Sequence, residues 1–149
     1  MQIEKVQINK VIVYCVNDGK LLVFRHTDFS FEEVGIQVPA GTIRENESPR
    51  DAALRELQEE TGQGDFEIVR ELGILTYDMT PYRNEIQHRH FFLAKPTASL
   101  PDRWKSAEKH DGTQLLTNFE CFWIPLETGH ILQAGQGALL YTLCESRAI

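Results

Sequence analysis

The sequence predicts an α/β domain in which a mixed β-sheet is covered by helices. Three observations predict it. Strand-like segments lie before and after one sharply bounded central helix, a second amphipathic pattern ends the chain, and no linker, repeat or low-complexity tract divides residues 1–149. A chain of this length is expected to form one domain, burying roughly two-thirds of its unfolded surface around a single core.

The first two strands come from "QINKVIVYCV" and "KLLVFRH", which flank Asn17-Asp18-Gly19. Asp-Gly supplies the positive φ that a tight hairpin turn needs, so the pair reads as a β-hairpin. A loop is expected from Asp28 to Glu33. "GIQVPAG" then reads as a short strand ending at Pro39, after which Ala40-Gly41 opens an irregular loop. Ser48-Pro49-x-Asp51 starts the helix, with a serine that can cap orphan N–H groups, a proline at the first helical position and an acid in the first turn. Gly62 closes it. Downstream, "FEIVRELGILTYD", "QHRHFFLAK" and "LLTNFECFWIPLE" are strand-like, the last running out at Pro125, and "GALLYTLCESR" is the terminal amphipathic helix.

Composition narrows the function classes. No apolar run nears the length needed to span a bilayer, and the opening "MQIEKVQINKVIVYCV" has neither a signal-peptide core nor a cleavage site. A cytoplasmic protein with no membrane partner is expected. Cys15, Cys121 and Cys144 are odd in number and widely spaced, which suits free thiols in a reducing compartment better than a disulfide framework or a zinc site. The net charge of −7 speaks against a nucleic-acid polymer as partner, because that surface needs clustered Lys and Arg. A phosphate-bearing ligand would need something positive to screen it. Bound metal ions are the natural candidate.

The central helix carries the most specific signal. Glu59 and Glu60 follow Glu56 by three and four positions, which places all three carboxylates within an arc of about 100° on a helix of 3.6 residues per turn. Ala52 and Ala53, one turn earlier, are expected on the same side and leave room beside the acids, while Leu54, Leu57 and Thr61 are expected to pack on the sheet. Like charges at this spacing repel by a few tenths of a kcal/mol per pair, a cost with no structural return. Oxygen-rich clusters suit Mg²⁺ or Mn²⁺. A solvated helix made of good helix formers is the alternative reading of the same residues.

The surrounding spacing adds to this. Gly41, five residues, Glu47, seven residues, then Arg55-Glu56-Leu57-x-Glu59-Glu60-x-Gly62 resembles the Nudix box of the Nudix hydrolase family. The departures are Gln63, where the family has an aliphatic residue, and Ala40, where many members have a second glycine. The resemblance implies an α/β/α sandwich and a Mg²⁺-dependent hydrolase, with Mn²⁺ as the other candidate ion. Such an enzyme attacks a nucleoside diphosphate linked to another group through water at phosphorus. A non-catalytic Nudix-like sensor or interaction domain is the alternative.

The same resemblance implies site residues. Glu56, Glu59, Glu60 and the Ala40 carbonyl would hold the metal, and Arg55 with Glu47 would brace the loop against the helix. For the general base, Glu59, Glu108, Asp111 and Glu120 are all candidates, with Glu120 preferred outside the box because "ECFWIPL" is similar to the acid-and-Trp strand of many members. Arg25 can meet a phosphate, and Tyr82, Tyr77 or Trp104 can stack on a base. His88 and His90 flank Arg89 and share one strand face, as a plain histidine pair or as a further ligand pair. Pro81 and Tyr82 lie near, but not at, the positions that mark substrate subgroups. The implied partner is a small nucleotide-type substrate, and a homodimer is compatible with the reading.

Overall fold

The hairpin forms where its turn chemistry demands it: β1 (Val6–Asn17) and β2 (Lys20–His26) are joined through Asp18 and Gly19 at φ 53° and 72°. The computed structural model describes residues 4–28, 35–109, 116–132 and 135–147. The loop expected at 28–33 falls almost wholly outside them.

The segment before the helix differs from the expectation. "GIQVPAG" forms a single bridge, Gln37 to Phe24, and the strand lies later: β3 (Ala40–Thr42) pairs with β1, Gly41 opposite Val11. Pro39 has no N–H to give a ladder, which moves the strand past it; its carbonyl still accepts from the Val13 N–H at 2.9 Å. Ala40-Gly41 therefore belongs to the sheet and not to a free loop.

Helix α1 (Pro49–Thr61) starts and stops at its predicted signals. The Ser48 hydroxyl accepts from the Asp51 N–H at 3.1 Å, and Gly62, at φ 69°, donates its N–H to the Gln58 carbonyl. Gln63, the departure from the box pattern, is partly buried and donates its N–H to the Thr61 hydroxyl at 3.3 Å.

Strands β4 (Phe66–Asp78) and β5 (Glu85–Pro96) lie where their patterns place them, as does β7 (Leu116–Pro125). Strand β6 (Arg103–Lys109) has no counterpart in the sequence reading. Its sequence, RWKSAEK, is mostly polar because it is an edge strand with only one covered face. A 3₁₀ turn (Leu126–Ile131) and helix α2 (Leu140–Arg147) follow, the helix starting three residues later than its apolar pattern suggests.

Among the described residues the sheet order is β4-β5-β1-β2-β7-β6, with β3 added on β1. β1 and β5 run parallel and every other pair is antiparallel, so the sheet is mixed. Alternation along β1 sends Val11, Val13 and Cys15 toward Ala52, Ala53 and Leu57 of α1. Ile12 and Tyr14 face Leu126, Leu139, Leu140 and Leu143 on the other side. Helices thus cover both faces, giving the α/β/α sandwich as a single domain. Cys15 and Cys121 are buried free thiols, each pushed up to about 12, chiefly by burial; the Cys144 side chain lies outside the described residues. No helix among the described residues is long and apolar enough to cross a membrane.

Candidate functional site

Two of the three clustered carboxylates of α1 are withdrawn from solvent. Glu56 and Glu60 are buried and Glu59 is partly exposed, while Ala52 and Ala53 are fully buried in the core. The alanines therefore let the helix approach the sheet closely and do not line an open space. Gly41 explains how Glu56 fits: a Cβ on this residue would lie 2.2 Å from the Glu56 carboxyl carbon, so only glycine lets the strand and the acid come together.

Ala40 faces the same carboxylates. Its N–H points away from β1 and donates to Glu60 Oε2 at 3.3 Å. In an antiparallel ladder the N–H and C=O of one residue share a side, so the Ala40 carbonyl also points away from β1.

Arg55 ties the loop to the acids. Its Nε and Nη2 donate to the two Glu47 oxygens at 2.7 and 2.9 Å, a bidentate pair, and Nη2 also donates to the Thr42 carbonyl at 3.0 Å. Nη1 reaches back to Glu56 at 2.7 Å and Glu59 at 3.3 Å. On a helical wheel Arg55 and Glu56 point apart; the long, flexible arginine side chain closes that gap. Glu47 in turn accepts from the Arg44 N–H at 3.0 Å, which closes the loop on itself.

One acid from outside the box joins the cluster. Trp104, Ser106 and Glu108 alternate along β6 on the face turned to α1, so Trp104 donates its indole N–H to the Thr61 carbonyl at 2.7 Å and Glu108 comes beside the helix acids. Carboxylate oxygens of Glu56, Glu59 and Glu108 lie within 4.8 Å of one another. That is an all-oxygen donor set of the kind that suits a hard divalent cation. Glu60 sits behind it, hydrogen-bonded to Glu56.

The other predicted positions lie elsewhere. Glu120 is on the sheet face away from α1, bonded to Arg25 at 3.0 Å and Arg103 at 2.6 Å, and the Arg25 bond holds its carboxyl below the usual range. The structure does not bring Glu120 or Arg25 to the carboxylate cluster. Trp104 is packed into the core beside the end of α1, and Tyr82 stands exposed on the turn between β4 and β5. His88 bonds Gln7 at 2.7 Å and His90 bonds Glu71 at 3.3 Å, so the two rings serve separate neighbours. Asp111 lies outside the described residues. Glu108 is one of several open candidates in the sequence; the signal that could single it out is the Trp-x-Ser-x-Glu alternation of a half-covered strand.

Electrostatics divide the acids into two groups. Hydrogen bonding to Arg55 holds the Glu47 carboxyl down to about 2. Burial pushes Glu56 above the usual carboxylate range against the pull of Arg55, and burial followed by the charges of Glu56 and Glu108 pushes Glu60 well above it. The signs differ accordingly. The stabilisation from Glu47 is present above the ordinary carboxylate range and is lost as pH falls through about 2. The buried pair is most favourable while protonated, so its contribution fades as pH rises from about 4.5 through the raised value. A divalent cation there would need the ionised acids, so protons still held by the raised pair would be released on binding. Calorimetry of Mg²⁺ binding in buffers of different ionisation enthalpy should therefore detect proton release, with affinity falling as pH falls. An affinity that stays constant as pH falls through the raised range would mean that the Glu56–Glu60 pair is not involved.

Comparison with known proteins identifies the family. A family model described as the NUDIX domain matches residues 7–139. The ADP-ribose pyrophosphatase of Bacillus subtilis (strain 168) is 32% identical over 95 residues, covering 62% of this chain and 49% of that protein. The RNA pyrophosphohydrolase of a Nitratiruptor species is 36% identical over 84 residues, covering 50% of this chain and 54% of that protein. The chain spans between 26% and 54% of the curated relatives' own length. Among solved structures, a MutT protein from Methanosarcina mazei Go1 superposes with a TM-score of 0.62 at 20% identity, covering 98% of this chain and 99% of that one. At that identity the likeness concerns the fold.

Proposed function

The chain belongs to the Nudix family, and we propose that it is a metal-dependent hydrolase of a phosphoric anhydride, acting on a nucleoside diphosphate linked to another group. The observation that carries this reading is the set of Glu56, Glu59 and Glu108 oxygens within 4.8 Å of one another, beside a strand whose Ala40 carbonyl is turned the same way. The names of the two relatives, a pyrophosphatase and a pyrophosphohydrolase, support the reaction class.

Mg²⁺ or Mn²⁺ fits this donor set, and when bound it would offset phosphate charge and lower the pKa of a coordinated water. The chain's own residues do the rest. Glu56, Glu59 and the Ala40 carbonyl offer ligand oxygens, with Glu60 behind them. Arg55 orients Glu56 and Glu59 while its grip on Glu47 and Thr42 holds the loop. We assign to Glu108, from a different strand, the role of accepting the proton of the attacking water; its place beside Glu56 and Glu59, with Glu120 on the opposite face of the sheet bonded to Arg25, supports this reading.

A panel of nucleoside triphosphates, sugar nucleotides, ADP-ribose, dinucleoside polyphosphates and 5′-triphosphorylated RNA, assayed with Mg²⁺ for phosphate or pyrophosphate release, tests the reading. At least one compound should be cleaved, and a panel with no cleavage overturns it. With the substrate so found, Glu108→Gln should lower turnover by roughly 100-fold, within the usual contribution of a general base, while Glu120→Gln should leave it near normal. The reverse order would return the role to Glu120.

A further inference from the structure

The strand before α1 fills a split in the sheet. Among the described residues β1 and β2 pair at Val16 with Leu21 and at Asn17 with Lys20, and then part. Residues 37–42 run into the opening. Gln37 exchanges backbone hydrogen bonds with Phe24 of β2, at 2.8 and 3.0 Å, whereas Ala40, Gly41 and Thr42 pair with β1. The chain therefore changes partner strand between Gln37 and Pro39, and Val38 is the residue at the crossing.

Val38 is fully buried, so its N–H cannot turn to water. A side chain answers it: Gln136 Oε1 accepts from the Val38 N–H at 2.9 Å. Gln136 is itself buried and stands 98 positions away in the chain, on the segment that leads into α2. Tyr14 of β1, also fully buried, fixes that segment. Its hydroxyl donates to the Gln136 carbonyl and accepts from the Leu139 N–H at 3.2 Å, and the turn closes where the Ala138 N–H donates to the Gly135 carbonyl at 3.2 Å. The backbone of Gln136 is thus tied to β1 and its side chain to the crossing.

This layer is otherwise apolar, with Ile12, Val23, Phe91 and Leu140 in it. A leucine in place of Gln136 would fill the space but strand the Val38 N–H without a partner. The crossing lies two residues before Ala40, whose N–H donates to Glu60 and whose carbonyl shares that side. Pro39 stands between them with φ held by its ring, so a shift at Val38 passes to Ala40 with little slack.

We propose that Gln136 is a positioning residue for the metal site: by holding the Val38 N–H it sets the place of the Ala40 carbonyl, so that the segment before α2, on the sheet face opposite α1, tunes cation affinity at the box. The assignment rests on reading the box as a divalent-cation site.

The test titrates Mn²⁺ into the metal-free whole chain and counts the free ion by electron paramagnetic resonance. Gln136→Leu, close to glutamine in size but with no acceptor, should bind Mn²⁺ roughly 10-fold more weakly than wild type, the lower end of the loss seen when a group that orients ligands is removed. Ile124→Val trims the same apolar layer without touching the crossing. It should lower the thermal midpoint and leave Mn²⁺ affinity unchanged, which separates positioning from loss of stability. In wild type, saturating Mg²⁺ should slow hydrogen exchange at the Val38 amide several-fold, a measurement that decides the matter even where Gln136→Leu does not fold. Equal Mn²⁺ affinity in wild type and Gln136→Leu, an equal loss in Ile124→Val, or Val38 exchange unmoved by Mg²⁺ overturns the inference. A failure of the metal reading appears separately, as Mn²⁺ binding by Glu59→Gln that matches wild type.

Discussion

Replacing Glu59 or Glu60 with glutamine should lower turnover by roughly 100-fold or more while the fold stays intact. The estimate follows from the proposed role of the site, in which Glu59 would be a ligand and Glu60, bonded to Glu56, would hold a ligand in place: an ion supplying several kcal/mol of charge stabilisation would lose much of it with either change, and each 1.4 kcal/mol is tenfold in rate. Glutamine keeps the shape of glutamate, so little packing changes. For Glu60 the carbonyl oxygen of glutamine can still accept from the Ala40 N–H, and the substitution removes the cost of ionising an acid whose carboxyl is held well above the usual range by burial and then by the charges of Glu56 and Glu108. The thermal midpoint of the metal-free Glu60→Gln protein at neutral pH should therefore equal or exceed that of wild type. Near-normal turnover in both variants would remove the box from the mechanism.

The second large effect is on metal affinity. Arg55→Ala should weaken Mg²⁺ binding by roughly 10–100-fold, the range typical when a group that orients metal ligands is lost, and saturating Mg²⁺ should restore part of the rate. Arg55 touches Glu56 and Glu59 as well as Glu47 and the Thr42 carbonyl. Its removal thus frees both the loop and the ligands, and the loss should exceed that of Glu47→Gln, which frees the loop alone. Adding Glu47→Gln to Arg55→Ala should cost little more, because the bidentate contact is already gone. A double-mutant cycle on the Mg²⁺ dependence measures the coupling. Fully additive losses would show that the two residues act independently and that Glu47 is not held for the sake of Arg55.

What the sequence determined by itself is local. Asp18-Gly19 specifies a turn because the required positive φ belongs to those residues alone, and Ser48, Pro49 and Gly62 bound α1 because capping is settled within a few residues of each end. The spacing of Glu56, Glu59 and Glu60 placed acids together on the helix for the same reason. The rest depended on partners distant in the chain. Edge strand β6, with its polar sequence, has no apolar pattern to announce it, and only its pairing with β7 carries Glu108 to the helix acids. The inward turn of Glu56 depends on Gly41 in a strand that pairs past Pro39. Pairing between distant strands is set by which faces the core must bury, a property of the whole fold, so the charges that surround the site were decided by tertiary structure.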